Sequence, residues 1–247
     1  MFSCACFRCA IIRGGCDGGS LEMIMQTPSG GYLLPPKAQY SRKVAKGTQK
    51  HFTGQLTLGS DENPCLSDVE SHTEMAIALN LMTRPDVIHV ENQVPFRWRD
   101  ATGKPHIHHF DFRVLRTDGT RIAIFVKAAF RLESRRLMAE FATIAAQVTP
   151  DFADRVVVMT EKDNDPITSH NAELLYAARL AEPEVDSVAR KTIQELKTTV
   201  RIGALIEEIG HSGQGFWAVV RLLRSGELRL VKREKITHDA LVVRGKA

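Results

Sequence analysis

The sequence lacks an apolar run long enough to cross a membrane. A spanning helix needs about 18 or more consecutive apolar residues, and the nearest candidate, Met138–Val148, is broken by Glu140 and Gln147. A secretory signal is not expected either, because Arg8 and Arg13 interrupt any apolar stretch near the N-terminus. No internal repeat is found. We therefore expect neither a membrane partner nor a repeat architecture.

Cysteine is scarce and unevenly distributed. Of the five cysteines, Cys65 stands alone and four are clustered at the N-terminus: Cys4, Cys6, Cys9 and Cys16. An odd number without a secretory signal is typical of a reducing compartment, here the cytoplasm. The cluster has two interpretations. Four thiolates could bind a tetrahedral zinc ion, but the spacing C-x-C-x2-C-x6-C differs from the usual paired forms and favours a disordered tail.

The chain has no large excess of charge of one sign. It carries 33 basic and 29 acidic residues, a formal net charge of +4, which permits nucleic-acid binding without requiring it. The distribution is more informative than the sum. Residues 210–247 contain 8 basic and 3 acidic residues, so this segment of 38 residues has a charge of +5.

Composition and periodicity divide the chain into three segments. Residues 1–66 are predicted to be a disordered or poorly structured tail and a basic linker, because 27–66 are rich in Pro, Gly, Ser and Thr. Residues 67–182 alternate helical and strand patterns, which predicts an α/β domain. An acidic spacer follows, and residues 187–247 resemble a helix-turn-helix with a wing.

Most elements have recognisable boundaries. Ser71-His-Thr-Glu74 is typical of a capped helix that ends before Pro85. Thr117-Asp-Gly-Thr120 is typical of a hairpin turn. The predicted strands are 87–90, 94–98, 107–115, 121–128, 155–160 and 227–232, and the other predicted helices are 133–147, 169–180, 200–209 and 216–225.

Two neighbouring strands are predicted to bring an acid and a lysine together. Alternation places Asp111 on the face opposite Phe110 and Phe112. A hairpin to the next strand then brings Asp111 near Lys127. With a carboxylate from a helix above them, these groups could form a metal-assisted phosphodiesterase site. The acids would hold Mg²⁺, while the lysine would orient the attacking water and stabilise the developing charge.

Four motifs, taken in order, resemble the TnsA-type endonuclease subunit of heteromeric transposases, a branch of the PD-(D/E)XK restriction-like nucleases. They are Ser71-His-Thr-Glu74, Val87-Ile-His-Val-Glu91-Asn-Gln93-Val-Pro95, His109-Phe-Asp111-Phe and Ile124-Phe-Val-Lys127. The resemblance spans roughly residues 67–245. It implies a restriction-endonuclease-like mixed sheet flanked by helices, followed by a small winged-helix-like domain.

The resemblance also implies a function. Glu74 and Asp111 would be the metal-binding acids, Lys127 the catalytic lysine, and Mg²⁺ the cofactor, with Mn²⁺ as a substitute. The reaction would be phosphodiester hydrolysis in DNA at transposon ends. The implied partners are DNA, a DDE-type transposase subunit and an ATPase regulator, which places the protein at the nucleoid.

One position departs from the family motif. Two residues before the lysine the family has Glu, Asp or Gln, whereas this chain has Phe125, which cannot coordinate Mg²⁺. The backbone carbonyl of Val126 could still be a ligand, and Glu70 could be recruited as another acid. Two alternatives therefore stay open: a catalytically inactive DNA-binding or adaptor protein on a nuclease-like fold, and a stand-alone restriction or repair nuclease.

Several candidate residues also have structural interpretations. Glu74 could simply cap its helix, and Lys127 could be a strand lysine whose ammonium group reaches solvent. His106, His108 and His109 resemble zinc-ligand spacing, although alternation separates them. The candidate DNA contacts, for each of which a solvated surface is the alternative, are Arg131, Arg135, Trp217, Arg221 and Arg224, with Arg136 beside them.

Overall fold

The computed structural model describes residues 35–38, 52–59 and 64–245. The elements within these ranges are, in order, β1 (Gly54–Gly59), β2 (Pro64–Val69), α1 (His72–Met82), β3 (Val87–Arg99), β4 (Pro105–Arg116), β5 (Arg121–Val126), α2 (Arg135–Ala145), β6 (Arg155–Met159), α3 (Pro166–Ala177), α4 (Pro183–Gln194), β7 (Val200–Arg201), α5 (Ile202–Ile209), α6 (Ser212–Arg224), β8 (Leu228–Leu230) and β9 (Leu241–Arg244). None of the helices in these ranges is both long and apolar enough to cross a membrane. The cysteine cluster Cys4, Cys6, Cys9 and Cys16 lies outside the described residues, so neither the zinc site nor the disordered tail is tested there.

The central sheet contains four strands in the order β3-β4-β5-β6. β3, β4 and β5 are antiparallel neighbours, whereas β5 and β6 are parallel. A parallel pair requires a crossover connection, and α2 lies in that connection. The sheet is therefore mixed and has helices on both faces, which confirms the predicted α/β class.

Each face of the sheet has its own apolar core. On one face, α1 and β1 pack against the sheet through Ile77, Leu58, Val90, Phe112 and Ile124. On the other face, α2 contributes Phe141 and Ile144, which pack against Phe110 and Phe125. The sheet is thus covered on both sides, as parallel strands require.

Side-chain caps set the start of the helices α1 and α3. Ser71 Oγ accepts a hydrogen bond from the Glu74 amide at 3.0 Å at the start of α1, as the sequence predicts. Asp165 caps α3 by accepting from the Ile167 and Thr168 amides at 3.0 and 3.1 Å. Such caps satisfy amide groups that have no partner within the helix.

A hairpin lies within the segment that the sequence predicts to be a linker. β1 and β2 are antiparallel and pair from Gly54↔Val69 to Gly59↔Pro64. Leu56 and Leu58 alternate with polar residues and enter the core beside α1. The linker prediction is wrong for this part of residues 1–66, because the Gly- and Pro-rich composition conceals a short period-two pattern.

The C-terminal elements form a second cluster around a small sheet. Its three strands have the order β7-β9-β8, and both pairings are antiparallel. The helices α4, α5 and α6 share one apolar core with these strands. α5 and α6 are joined by a tight turn in which Gly210 and His211 have φ values of 73° and 62°. The helix α4 is additional to the elements predicted from the sequence.

The connection between β8 and β9 is fastened to α3. Asn171 Nδ2 donates to the Glu234 carbonyl at 2.9 Å, and the Ile236 amide donates to Asn171 Oδ1 at 2.8 Å. Arg233 forms an ion pair with Asp165 at the start of α3. Two backbone positions of this connection are therefore held by one side chain of the α/β part of the chain.

If the β1–β2 hairpin is part of the fold, Leu58→Ala should lower the free energy of unfolding by about 2–5 kcal/mol, because it removes a fully buried side chain from the core. Thr57→Ala on the same strand is the control and should change the stability by much less. Urea denaturation followed by tryptophan fluorescence measures both. Equal stability of the Leu58→Ala variant and the wild type would show that the hairpin does not contribute to the core.

Candidate active site

The ladder between β3 and β4 is interrupted at Gln93 and Asp111. Asn92 pairs with Phe112 and Val94 pairs with Phe110, but the two residues between these pairs are not paired with each other. Gln93 has a φ of 51°, in the left-handed region that few non-glycine residues adopt. The strands predicted at 87–90 and 94–98 are therefore one long strand, β3, with a local distortion at Gln93.

The interruption reverses the direction in which the side chains of β4 point. Phe112 packs on the face covered by α1, whereas Phe110 packs on the face covered by α2. The prediction that these two phenylalanines share a face is wrong, because strict alternation holds only along an unbroken strand. Asp111 lies between these two phenylalanines, at the residue where the side-chain direction of β4 changes.

The Asp111 carboxylate lies where β4 and β5 separate. Their ladder runs from Leu115↔Arg121 to Phe112↔Ile124 and ends there. Beyond it, Asp111 Oδ2 accepts a hydrogen bond from the Val126 amide at 2.7 Å. The side chain thus satisfies a backbone donor that a continued ladder would have satisfied, and it remains only 7% exposed.

Lys127 completes the contact with Asp111. Its ammonium group lies 3.5 Å from Asp111 Oδ2 and donates to the Val126 carbonyl at 2.8 Å. Its backbone amide donates to the Met159 carbonyl at 3.0 Å, which fixes the end of β5 against β6. The predicted proximity of Asp111 and Lys127 is therefore confirmed.

Glu74 takes part in the hydrogen bonds at the start of α1, and its side chain is buried where the charge of Asp111 acts on it. Its two carboxylate oxygens accept from the Glu70 amide at 3.0 Å and from Ser71 Oγ at 3.1 Å. Together with the bond from the Glu74 amide to Ser71 Oγ, these contacts tie the carboxylate to the N-cap residue and to the residue before it. The side chain is nevertheless buried, which surface capping alone does not require.

The acids influence one another electrostatically. Burial raises the pKa of Glu74 above its ordinary value, and the negative charge of Asp111 raises this pKa further. Burial also raises the pKa of Asp111; the Lys127 ammonium opposes this shift, and the charge of Glu70 adds to it. Three carboxylates and one lysine therefore influence one another within one electrostatic environment.

The oxygens of this cluster suit a hard divalent cation. Asp111 Oδ2 and the Val126 carbonyl both contact the Lys127 ammonium, so two predicted ligand oxygens already converge on a positive charge. Mg²⁺ prefers such oxygens and usually retains several waters. In the part of the chain that the structure describes, no group of three or more His, Cys, Asp or Glu side chains is arranged to hold a metal ion. A cation at this site would therefore need other oxygens as well.

Phe125, the residue that departs from the family motif, belongs to the core under α2. Its ring stacks on Phe141 with centroids 4.1 Å apart and also contacts Phe110 and His108. It is 1% exposed. The side chain supplies packing and no ligand oxygen.

The arginines that follow Lys127 are exposed. Arg131, Arg135 and Arg136 lie on a short 3-10 helix and on the first turn of α2. That first turn contains no acidic residue, although the helix dipole favours acids there and disfavours arginines. Because these side chains are exposed and the helix dipole disfavours them there, neither packing nor the dipole accounts for their charges. Their contact with DNA stays a prediction.

The candidate contacts on α6 have internal partners. Arg221 Nε lies 2.7 Å from Asp186 Oδ1, and both side chains are largely buried. Trp217 packs against the C-terminal core, and Arg224 is half-buried. These positions explain Arg221 and Trp217 as parts of the fold, and the prediction that they contact DNA stays untested.

Two features of the site region escape sequence reasoning. Gln93 faces Asp111 across the broken ladder, and its only sequence signal is its place inside the second motif. Glu91 and Arg113 form a bidentate ion pair at 2.6 and 3.0 Å on the same two strands. Both features depend on cross-strand register, which a single strand's sequence does not specify.

No protein-family model matches the chain, and no curated protein matches it.

The raised pKa of Glu74 predicts that Glu74→Gln stabilises the metal-free protein at neutral pH. The native state holds this proton more tightly than the unfolded state, so the stabilisation is present at low pH and is lost as the pH rises through the raised pKa. Gln keeps the uncharged form at every pH. Urea denaturation in EDTA at about pH 5 and about pH 8 should show a variant advantage that grows with pH. Glu140→Gln changes an exposed acid on α2 and should show no such trend. A Glu74→Gln variant that is less stable than the wild type at pH 8 would contradict this prediction.

The packing of Phe125 predicts that restoring the family motif does not restore a ligand. Phe125→Gln should lower the free energy of unfolding by about 3–5 kcal/mol, because it opens the aromatic core and buries an amide without partners. Phe125→Leu is the control and should retain most of the stability. Thermal denaturation measures both, and a Phe125→Gln variant as stable as Phe125→Leu would show that the side chain can leave the core.

Proposed function

We propose that this chain is a divalent-metal-dependent DNA endonuclease. The observation that carries the proposal is the break in the sheet at Asp111, which places a buried carboxylate against Lys127 with Glu74 on the adjacent helix. Two buried acids whose pKa values are raised, beside one lysine, reduce the stability of the metal-free protein. Such arrangements are typical of functional sites.

The side chains have separate roles in hydrolysis. Glu74, Asp111 and the Val126 carbonyl hold Mg²⁺ or Mn²⁺, which supplies charge stabilisation at the scissile phosphate. Lys127 orients the attacking water and neutralises charge on the non-bridging oxygens. Since both carboxylates bind a cation in their ionised form, metal affinity rises with pH through their raised pKa values.

The C-terminal elements support a winged-helix-like unit. The order α4-β7-α5-α6-β8-β9, with strands arranged β7-β9-β8, contains a helix pair followed by a β-hairpin. In such units the second helix of the pair, here α6, enters the major groove. The connection that would form the wing is held by Asn171 of α3, so we assign it the role of orienting the two parts of the chain.

Similarity of motifs alone suggests the biological context. On that basis the substrate is DNA at transposon ends, and the partners are a DDE-type transposase and an ATPase regulator, at the nucleoid. The exposed arginines beyond Lys127 are suited to bind the phosphates that flank the cleaved bond.

Nicking of supercoiled DNA with Mg²⁺ or Mn²⁺ tests the proposal. We expect metal-dependent nicking by the wild type and a loss of about 100-fold or more in the Asp111→Asn and Lys127→Met variants, because each removes a group of the catalytic site. Lys197→Met and Glu140→Gln change exposed charges elsewhere and should retain activity. The assay is repeated with any transposase encoded by a neighbouring gene.

Other outcomes distinguish the alternatives. Nicking without any transposase would favour a stand-alone nuclease. The inactive adaptor is favoured by one observation, the burial of Phe125 where the family has a ligand. Absence of nicking even with the transposase, together with salt-sensitive DNA binding that neither site variant weakens, would contradict the nuclease and support the adaptor.

A further inference from the structure

Gln93 has three properties that a strand position does not explain. Its φ is 51° inside a strand of 13 residues. It is 3% exposed, and its Nε2 has no hydrogen-bond partner among the described groups. Buried amides normally have partners, so each exception in a native structure points to a function or to a bound group.

The positive φ of Gln93 is not explained by a turn. Among the described residues, the other non-glycine residue with positive φ is His211, which is exposed in the turn after Gly210. A turn explains His211, whereas Gln93 lies between two residues that are correctly paired with β4. Strained backbone is maintained where the surrounding structure and the function require it.

The position of Gln93 relates these properties to the candidate active site. The flanking pairs Asn92↔Phe112 and Val94↔Phe110 place Gln93 directly across from Asp111. The paired residues on either side hold the two strands together, so Gln93 lies beside Asp111 although the two are not themselves paired. A glutamine side chain is long enough to bring its carboxamide into the surroundings of the Asp111 carboxylate.

We propose that the side-chain carbonyl oxygen of Gln93 is a third side-chain ligand of a divalent cation held by Glu74 and Asp111. This inference rests on the proposed function and extends its metal site. It assigns to β3 the oxygen that the family motif takes from the position of Phe125. The backbone carbonyl of Val126 and water would complete the coordination.

Charge favours an amide over a further acid at this position. Two carboxylates balance the charge of a divalent cation, and both are already buried. A third buried carboxylate would raise the cost of the metal-free state, because like charges and desolvation disfavour ionisation. A glutamine supplies a hard oxygen without that cost, and it leaves the Nε2 group available to a bound water or a phosphate oxygen.

Titration with Mn²⁺, followed by the electron paramagnetic resonance signal of the free ion, tests this inference without relying on activity. Gln93→Leu removes the oxygen, Gln93→Glu retains it, and Asp111→Asn is the reference for loss of the site. Gln214→Leu, an exposed glutamine on α6, is the control for the same chemical change elsewhere. Circular dichroism verifies the fold of each variant.

We expect Gln93→Leu to weaken Mn²⁺ binding about 10-fold or more, while Gln93→Glu binds at least as tightly as the wild type and Gln214→Leu is unchanged. If Gln93→Leu does not fold, weaker binding by Gln93→Glu overturns the inference, and binding at least as tight as the wild type supports it. Wild-type affinity in Gln93→Leu, with loss in Asp111→Asn, would overturn the role of Gln93 and leave the nuclease proposal intact. Failure of the wild type to bind Mn²⁺ would overturn both.

Discussion

The carboxylate of Asp111 ends the ladder between β4 and β5 and replaces it with a side-chain contact to the Val126 amide. This single contact determines the geometry around it. It places the Val126 carbonyl and the Lys127 ammonium beside a buried acid. At the same residue, the phenylalanine side chains of β4 change from one face of the sheet to the other. The strands thus separate where the polar groups converge.

The same arrangement reduces the stability of the metal-free protein. Glu74 and Asp111 are buried, and each has a pKa raised by desolvation. Lys127 compensates for only part of this charge. The surrounding packing maintains the site, since Phe125 and Phe141 stack on the face of the sheet that α2 covers. Hydrogen bonds with Ser71 hold Glu74 at the start of α1. An unfavourable local charge on a rigid frame is what a cation-binding site requires.

Local patterns in the sequence predicted much of the fold. The cap at Ser71, the strand that contains Asp111 and the helix that became α2 follow from periodicity and capping within one segment. The ladder break was not predictable, because it depends on the register between Gln93 and Asp111 on different strands. Long-range partners were missed for the same reason, as with Arg221, whose partner Asp186 lies in the spacer between the predicted domains.

The proposed nuclease depends on the binding of a divalent cation by the oxygens around Asp111. The most direct test is an anomalous difference map from crystals soaked in Mn²⁺. We expect a peak within about 2.5 Å of the Asp111 carboxylate and the Val126 carbonyl, with the Lys127 ammonium displaced from at least one of them. Saturating Mn²⁺ that leaves Lys127 on both oxygens, with no peak beside Asp111, would contradict it.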